Sequence, residues 1–268
     1  MKNPLNVIWN RGEPVLNGWC SIANTFTAEI MAAQGYDSLT IDGQHGALDY
    51  SDALPMLQTI SGTGKTPLAR VPWREPGVIM KYLDAGALGI ICPMINSSDE
   101  AAEFASYMRY PPLGQRSFGP TRAGFAYPGY NLTDANNEVL AFAMIETADG
   151  IRNLEDIAAT KGIDGLYVGP NDLALGFSNG SLPSGLDREE PEVIEILQRI
   201  ATTAKSKGIH AALHCGTVDY AMRGLEWGYD MVTVSGDARL LAAAASDTVN
   251  DIRTRIGGSV SDKTTGAY

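Results

Sequence analysis

Two kinds of apolar pattern alternate along the chain. Short apolar runs, typical of buried parallel strands, are separated by stretches in which apolar residues recur every three or four positions, as in amphipathic helices. The short runs predict strands over residues 16–22, 37–42, 67–72, 88–94, 139–147, 164–170, 210–216 and 231–235. The longer stretches predict helices over residues 25–35, 50–61, 75–87, 98–110, 151–158, 189–208, 218–228 and 238–256.

This regular alternation predicts an α/β fold. Eight strands that alternate with eight helices in about 250 residues are the pattern of a (β/α)₈, or TIM, barrel. A doubly wound sheet is the alternative, but eight regular units favour a closed barrel. No linker divides the chain, so we expect a single domain over residues 1–268, with its core over 15–256 and a loose Gly/Ser/Thr-rich tail over 257–268.

Two insertions interrupt the alternation. Residues 111–137 follow the fourth helix and should lie at the bottom of the barrel. Arg116, Arg122 and four aromatic residues make this segment a candidate subunit interface. Residues 178–187 follow the sixth strand and should lie on the top face, where they could form a lid.

Composition and charge limit the function classes. The net charge of −11 argues against a nucleic-acid or anionic-membrane partner. No apolar run approaches the roughly 20 residues of a membrane span, and the N-terminus lacks a signal-peptide pattern. The spacing of Cys20, Cys92 and Cys215 fits neither a zinc site nor a disulfide framework, so we expect reduced buried thiols in a cytoplasmic enzyme.

Polar residues follow the ends of most predicted strands, where barrel enzymes place their active sites. They are Asp42, Gln44, His45, Arg70, Glu146, Asp172, His214, Ser235 and Asp237. No lysine lies at such a strand end, which argues against a Schiff-base mechanism. If a carbonyl group is activated at this site, a metal ion must polarise it.

Glu146 and Asp172 follow adjacent parallel strands and could share one divalent cation. Two carboxylates with water form a hard oxygen site, which suits Mg²⁺ or Mn²⁺ better than zinc. The alternative is structural, with Glu146 a helix cap and Asp172 a buried hydrogen-bonding acid, or with Asp172 serving the first turn of a helix.

Other polar positions have two interpretations each. Arg70 could pair with a neighbouring acid, or it could grip a substrate carboxylate with its planar guanidinium group. His45 could exchange protons near neutral pH, or it could be an ordinary loop residue. His214 could belong to the site or to the core, and its neighbour Cys215 slightly favours the core. His210 begins a strand at the opposite face and should be structural.

The motifs IDGQHG, ARVPW, KYLDAGALGIICPM, AMIET and GLYVGPNDLAL occur in this order. Together they resemble the metal-dependent pyruvate aldolases of the HpcH/HpaI family, which include 4-hydroxy-2-oxoheptanedioate aldolase and the 2-keto-3-deoxy-sugar-acid aldolases. The likeness covers residues 15–255. The RSFGP segment and Gln44 are most similar to the hydroxy-ketoacid aldolases, which accept hydroxypyruvate.

The resemblance implies an active site and an assembly. Glu146 and Asp172 would bind a divalent metal ion (Mg²⁺, Mn²⁺ or Co²⁺), and Arg70 would bind the keto acid. His45 would be the base or a water-activating group, supported by Asp42 and by Asp84 of the partner subunit. The substrate carboxylate would lie against Gly169, Pro170, Asn171 and Asp172, with Gln44 nearby. The assembly would be a homohexamer, a trimer of dimers that exchange their last helix.

The implied reaction cleaves or forms a 4-hydroxy-2-keto acid, giving pyruvate or hydroxypyruvate and an aldehyde through a metal-stabilised enolate. His45 would take the proton from the 4-hydroxyl group. Many relatives have glutamate where this chain has Gln44, and glutamine where it has Met144. Both differences bear on which keto acid and aldehyde the enzyme prefers. Two alternatives are a citrate-lyase-type enzyme acting on an acyl-CoA and a non-catalytic barrel that binds a keto acid.

Overall fold

The strands of the computed structural model, which describes residues 2–257, form one closed parallel barrel. They are β1 (Val15–Cys20), β2 (Ser38–Asp42), β3 (Thr66–Arg70), β4 (Gly89–Cys92), β5 (Leu140–Ile145), β6 (Gly165–Val168), β7 (His210–Cys215) and β8 (Met231–Val234). Each strand pairs with its successor, and β8 pairs with β1 to close the ring. The predicted TIM barrel is therefore confirmed.

Helices cover the outside of the barrel and one of its ends. They are α1 (Pro4–Trp9), α2 (Thr25–Ala32), α3 (Tyr50–Gly62), α4 (Pro76–Asp84), α5 (Ser98–Met108), α6 (Thr121–Ala126), α7 (Leu132–Glu138), α8 (Ala148–Arg152), α9 (Leu154–Ala158), α10 (Pro170–Phe177), α11 (Pro191–Lys207), α12 (Val218–Glu226) and α13 (Asp237–Arg255). Polar side chains cap the amino termini of several of these helices, directly after the loops at the strand ends. These N-caps fix the residue at which each loop ends and its helix begins. The capping side chains include Asn24, Asp49, Ser97, Thr147 and Thr217.

Apolar side chains fill the inside of the barrel, and α1 covers its amino-terminal end. Leu5 of α1 is fully buried in this inner core, which also contains Phe142 and Tyr167. The ring of Trp9 stacks on His210, with 3.6 Å between the ring centroids. The His210 Nδ1 atom lies 2.7 Å from Oδ2 of Asp230. His210 is thus structural, as predicted, and Leu5 of α1 packs into the amino-terminal end of the barrel.

The helices differ from the prediction in four places. The sequence predicts neither α1 nor α10, because α1 has only six residues and α10 begins with a proline that looks like the end of a strand. The predicted helix over residues 151–158 is two short helices that meet at Asn153. The insertion over residues 111–137 contains α6 and α7.

The 111–137 insertion packs against the carboxyl end of α4, at the bottom of the barrel. Arg116 Nη2 donates to Oδ1 of Asp84 at 2.6 Å, and the Arg122 guanidinium donates to the carbonyl oxygen of Ala85. Phe118 and Phe125 remain 66% and 88% exposed. The predicted position is confirmed, whereas the subunit interface stays a prediction.

The described part of the chain ends at residue 257. The predicted loose tail falls, apart from its first residue, on residues 258–268, which lie outside that part. None of the helices within residues 2–257 combines the length and the apolar content needed to cross a bilayer. Cys20, Cys92 and Cys215 are free and buried, so the expectation of unpaired thiols is confirmed.

Candidate active site

One open cavity lies at the carboxyl ends of the strands, where the sequence predicts the site. Leu186 lines it, so the 178–187 insertion reaches the top face as predicted. The rest of its wall comes from strand ends and the loops that follow them, and it includes Trp19, Arg70, Met144, Asp172, His214 and Arg239.

Asp42 and Arg70 form a buried two-point ion pair beside this cavity. Arg70 Nε donates to Asp42 Oδ1 at 2.9 Å, and Arg70 Nη2 donates to Asp42 Oδ2 at 2.7 Å. The guanidinium group also lies over Trp19, with 4.9 Å between the Arg70 Cζ atom and the ring centroid. Arg70 therefore pairs with an acid, one of its two predicted roles, while it also lines the cavity.

Asp42 receives hydrogen bonds on both carboxylate oxygens. Oδ2 accepts from Trp19 Nε1 at 3.1 Å, and Oδ1 accepts from the backbone N–H groups of Gln44 and His45 at 3.2 and 3.1 Å. Burial alone would raise the pKa of Asp42, but Arg70 and these donors outweigh it and hold the pKa below its ordinary value. Asp42 is consequently an anion that orients Arg70 and the following loop.

The loop after β2 presents His45 at the rim of the mouth. A Cβ atom on Gly43 would lie 2.8 Å from the carbonyl oxygen of Arg70, so glycine is needed where the loop passes this strand. His45 is exposed. Partial burial and the charge of Arg70 lower the pKa of His45, against the opposing charges of Asp42 and Asp172. The imidazole is therefore neutral near pH 7, as a proton acceptor must be.

Glu146 is the first residue after β5 and is only 2% exposed. Its Oε1 atom accepts a hydrogen bond from the backbone N–H of Met94 at 2.8 Å. Burial and the charge of Asp172 raise the pKa of Glu146 to about 7, although the Met94 N–H and Arg70 act in the opposite direction. Because a buried carboxylate beside a second acid is costly when ionised, a bound cation would stabilise this pair.

Gly169 to Asp172 form the turn from β6 into α10, at the cavity wall. A Cβ atom on Gly169 would lie 2.8 Å from Glu146 Oε2 and would also meet the methyl group of Met144. Only glycine therefore leaves space next to the Glu146 carboxylate. Asp172 lies in the first turn of α10, and the neighbouring Asn171 is 6% exposed.

The donor set fits a hard divalent cation. Besides the two acids, Gln44 Oε1 and Asn171 Oδ1 are buried oxygens without a hydrogen-bond partner in the described part of the chain. Carboxylates, amide oxygens and water are the ligands that Mg²⁺ and Mn²⁺ prefer. Within residues 2–257 there is no cluster of three His, Cys, Asp or Glu side chains suited to a metal. Glu146 and Asp172 would therefore need water or substrate oxygens to complete the coordination shell.

Two of the acids named in the sequence analysis, Asp84 and Asp237, do not line the cavity. Asp84 is the last residue of α4, which runs away from the mouth, and in its own chain it pairs with Arg116. Its predicted role toward the site of another copy stays a prediction. The Asp237 carboxylate accepts hydrogen bonds from the backbone N–H groups of Ser21 at 2.8 Å and Ile22 at 3.2 Å, so it joins the start of α13 to the loop after β1.

Two cavity residues, Trp19 and Arg239, have no role in the sequence prediction, and a third, His214, has two interpretations there. Trp19 contacts both Asp42 and Arg70, and its inward position in β1 could have been found from the alternation of that strand. Arg239 follows β8 by five residues, too far for the strand-end rule to select it. His214, for which the sequence leaves the site and the core open and slightly favours the core, lines the cavity.

Comparison with known proteins identifies the family. A family model described as HpcH/HpaI aldolase/citrate lyase matches residues 17–244. A hydroxypyruvate/pyruvate aldolase of Rhizorhabdus wittichii is 39% identical over 251 residues, which cover 94% of this chain and 99% of the relative. A 5-keto-4-deoxy-D-glucarate aldolase of Klebsiella pneumoniae is 32% identical, with coverage of 84% and 87%.

A solved structure agrees with these sequence matches. The crystal structure of an HpcH/HpaI aldolase/citrate lyase family protein from Burkholderia cenocepacia superposes with a TM-score of 0.82 and 32% identity. The superposition covers 90% of this chain and 95% of that one. The resemblance carried by the sequence motifs is thus confirmed, and the chain belongs to the HpcH/HpaI aldolase/citrate lyase family of carbon–carbon lyases.

Proposed function

We propose that this enzyme is a divalent-metal-dependent aldolase that cleaves or forms 4-hydroxy-2-keto acids, with pyruvate or hydroxypyruvate and an aldehyde as the other reactants. One observation carries the proposal: Arg70 and Asp172 line the same cavity, and the charges of both act on Glu146, so residues from three different strand ends meet there. The names of the relatives, which act on hydroxypyruvate, pyruvate and a keto-deoxy-glucarate, support this substrate class.

Glu146 and Asp172 would hold the metal ion, which could be Mg²⁺, Mn²⁺ or Co²⁺. When bound, such an ion supplies an electrophilic centre that stabilises negative charge developing on the keto oxygen. The Met94 N–H group fixes the Glu146 carboxylate for this role, and Gly169 leaves space beside it.

Arg70 would bind the oxygen atoms of the keto acid. Its pair with Asp42 engages Nε and Nη2 of a group with five N–H donors, and the pair fixes the plane of the guanidinium. The substrate carboxylate would lie against Gly169, Pro170, Asn171 and Asp172, where the amino terminus of α10 favours negative charge. Gln44, whose Oε1 atom is buried without a partner in the described residues, would contact the substrate or its water.

His45 would accept the proton of the 4-hydroxyl group during cleavage and return it during addition. Its lowered pKa keeps the imidazole neutral, and Asp42 holds its backbone through the N–H at 3.1 Å. Asp84 of the partner subunit would assist this proton transfer. Lysine takes no part in the proposed reaction, and the cavity wall within residues 2–257 contains none.

We also propose one domain over residues 1–268, a cytoplasmic location and a homohexamer, a trimer of dimers that exchange α13. Asp237 is the only buried residue of α13, and Leu241, Val249 and Ile252 are 64%, 45% and 55% exposed. An apolar face on a terminal helix is suited to docking on a second copy of the chain. The free buried cysteines suit a reducing compartment.

A panel of 4-hydroxy-2-keto acids with different tails tests the reaction class. The purified enzyme, supplied with Mg²⁺ or Mn²⁺, should release pyruvate or hydroxypyruvate together with the matching aldehyde. Citryl-CoA and malyl-CoA belong in the same panel. Cleavage of a CoA ester without cleavage of any keto acid would overturn the proposal, and so would binding of pyruvate without turnover of any compound.

A further inference from the structure

A hydrogen-bonded chain crosses the otherwise apolar inside of the barrel and ends at the cavity wall. Thr233 Oγ1 accepts hydrogen bonds from Asn17 Nδ2 at 2.9 Å and from the Tyr167 hydroxyl at 3.0 Å. The Tyr167 hydroxyl also lies 3.1 Å from His214 Nδ1. Asn17, Tyr167 and Thr233 are all fully buried. Their polar groups must therefore form hydrogen bonds with one another.

The directions of these bonds place the protons. The Asn17 side-chain oxygen accepts from the hydroxyls of Ser38 at 2.8 Å and Thr40 at 3.1 Å, so the Asn17 amide nitrogen faces Thr233. The Tyr167 hydroxyl hydrogen is donated to Thr233. The hydrogen between Tyr167 and His214 must then come from the imidazole. His214 is therefore protonated at Nδ1, and its Nε2 atom carries a lone pair.

The imidazole of His214 is also held neutral. Burial and the charges of Arg70 and Arg239 lower the pKa of His214 to about 3, although Asp42 and the backbone of Ser235 act in the opposite direction. The ring of Trp19 contacts it edge to face, with 4.8 Å between the centroids. Packing and hydrogen bonding thus fix the orientation of the ring, with Nδ1 toward the Tyr167 hydroxyl.

We propose that His214 is a specificity-determining residue, whose Nε2 atom accepts a hydrogen bond from a hydroxyl group of the substrate. The proposal rests on the proposed aldolase function and adds a substrate class, because a neutral acceptor selects a hydroxyl donor and disfavours a carboxylate. The hydroxyl can come from either reactant: the 3-hydroxyl of hydroxypyruvate, or the hydroxyl beside the carbonyl of a hydroxyaldehyde. The proposal covers both sources because both present the same O–H donor.

Two pairs of reactants separate these sources. With one aldehyde, kcat/KM is measured for hydroxypyruvate and for pyruvate; with pyruvate, it is measured for glycolaldehyde and for acetaldehyde. In one pair the wild-type enzyme should prefer the hydroxylated member, and His214→Leu should reduce that preference about tenfold or more. The reaction of pyruvate with acetaldehyde should fall by less than the reaction of the recognised hydroxylated compound, because it lacks the recognised hydroxyl.

Two further variants separate recognition from a structural role. His214→Gln, whose amide oxygen can accept a hydrogen bond at a similar reach, should keep most of the preference. Tyr167→Phe keeps the aromatic ring but frees the imidazole, and it should lower the preference by less than His214→Leu. An unchanged preference in His214→Leu, or an equal fall in every reaction, would overturn the role of His214. Wild-type enzyme without metal-dependent turnover of any pair would instead overturn the aldolase proposal, and the role of His214 with it.

Nitrogen NMR of the wild-type enzyme labelled with ¹⁵N-histidine tests the tautomer without turnover. A resonance typical of an unprotonated Nε2, assigned with His214→Gln and retained at about pH 5, is the expected result. A protonated Nε2 at neutral pH would mean that the carbonyl of Ser235 has taken its hydrogen, and it would overturn the inference. Tyr167→Phe should broaden or shift this resonance, since the ring then loses its fixed partner.

Discussion

Asp42 and Arg70 lie directly opposite each other in the register of β2 and β3, and their side chains meet in a two-point ion pair. The geometry follows from the register, since side chains at opposed positions of adjacent strands point to the same face. The pair holds a guanidinium group at the cavity wall with its plane fixed. The loop that carries Gln44 and His45 is tied to the same carboxylate.

Substitution of Arg70 by lysine should therefore damage catalysis although the charge is kept. Lysine has no planar fork, so it cannot bond both oxygens of Asp42 and reach the substrate in a fixed plane. We expect kcat/KM to fall by roughly 100-fold, about 2.7 kcal/mol of transition-state stabilisation. The matched control is Arg223→Lys, because Arg223 is paired with Glu189 on the surface. Near-native activity of Arg70→Lys would exclude the clamp.

Removal of either proposed metal ligand should weaken metal binding without unfolding the barrel. Mn²⁺ titration followed by electron paramagnetic resonance should give one site per chain in the wild-type protein. Glu146→Gln and Asp172→Asn should weaken that site at least about tenfold, because each loses one of two charged oxygen ligands. Asp149→Asn is the control. Asp149 lies in α8, three residues after Glu146, and its exposed carboxylate forms an ion pair only with Arg152 among the described residues. Unchanged affinity in both ligand variants would place the metal elsewhere.

The low pKa of His214 predicts a pH dependence of stability. The pKa of about 3 in the folded state lies below the ordinary histidine value, so the unfolded chain binds an additional proton once the pH falls below about 6.5. This contribution to stability is present above about pH 6.5 and is lost as the pH falls toward 3. Between about pH 7 and pH 5 the wild-type free energy of unfolding should lose up to about 2 kcal/mol through this group.

Urea unfolding of the wild-type protein and His214→Leu at the two pH values provides the measurement. The variant should lose less stability on acidification, because leucine has no proton to bind. Other titrating groups, including His45, are shared by both proteins and cancel in the difference. Equal losses in the two proteins would mean that the folded imidazole titrates near its ordinary pKa.

If the exposed apolar face of α13 is part of the subunit interface, a charge placed on that face should break up the oligomer. Ile252→Glu places a charge on a side chain that is 55% exposed in the single chain, and we expect it to dissociate the oligomer into smaller species. Thr254→Glu adds the same charge on another side of the helix and should leave the assembly intact. Sedimentation velocity measures both. If Ile252→Glu sediments like the wild-type protein, α13 is not part of the interface.

The barrel could be predicted because its signal is periodic. Each strand is a short apolar run between helical stretches, and the strand-end rule then selects Asp42, Arg70, Glu146 and Asp172 without any knowledge of contacts. The α10 helix could not be predicted from the sequence, because Pro170 and Asn171 at its start look like a turn that ends a strand. The short α1 has too few residues for a helical period, although its burial closes the barrel.

The contacts inside the site could not be predicted from spacing. The sequence leaves Arg70 with two possible partners, and only the register of β2 and β3 brings its guanidinium onto Asp42. The position of His214 at the cavity depends on Tyr167 and Thr233, which lie 47 and 19 residues away along the chain. Such a role arises from strand neighbours in a closed ring, and it leaves no local pattern in the sequence.

The most direct test of the account is pyruvate release from a cleaved 4-hydroxy-2-keto acid after chelation and after metal is restored. Activity should vanish with the chelator, return with Mg²⁺, Mn²⁺ or Co²⁺, and withstand borohydride added in the presence of pyruvate. Glu146→Gln should need at least about tenfold more metal than the wild-type enzyme to regain any activity. Activity that persists without metal, with pyruvate trapped covalently on a lysine by borohydride, would contradict the account.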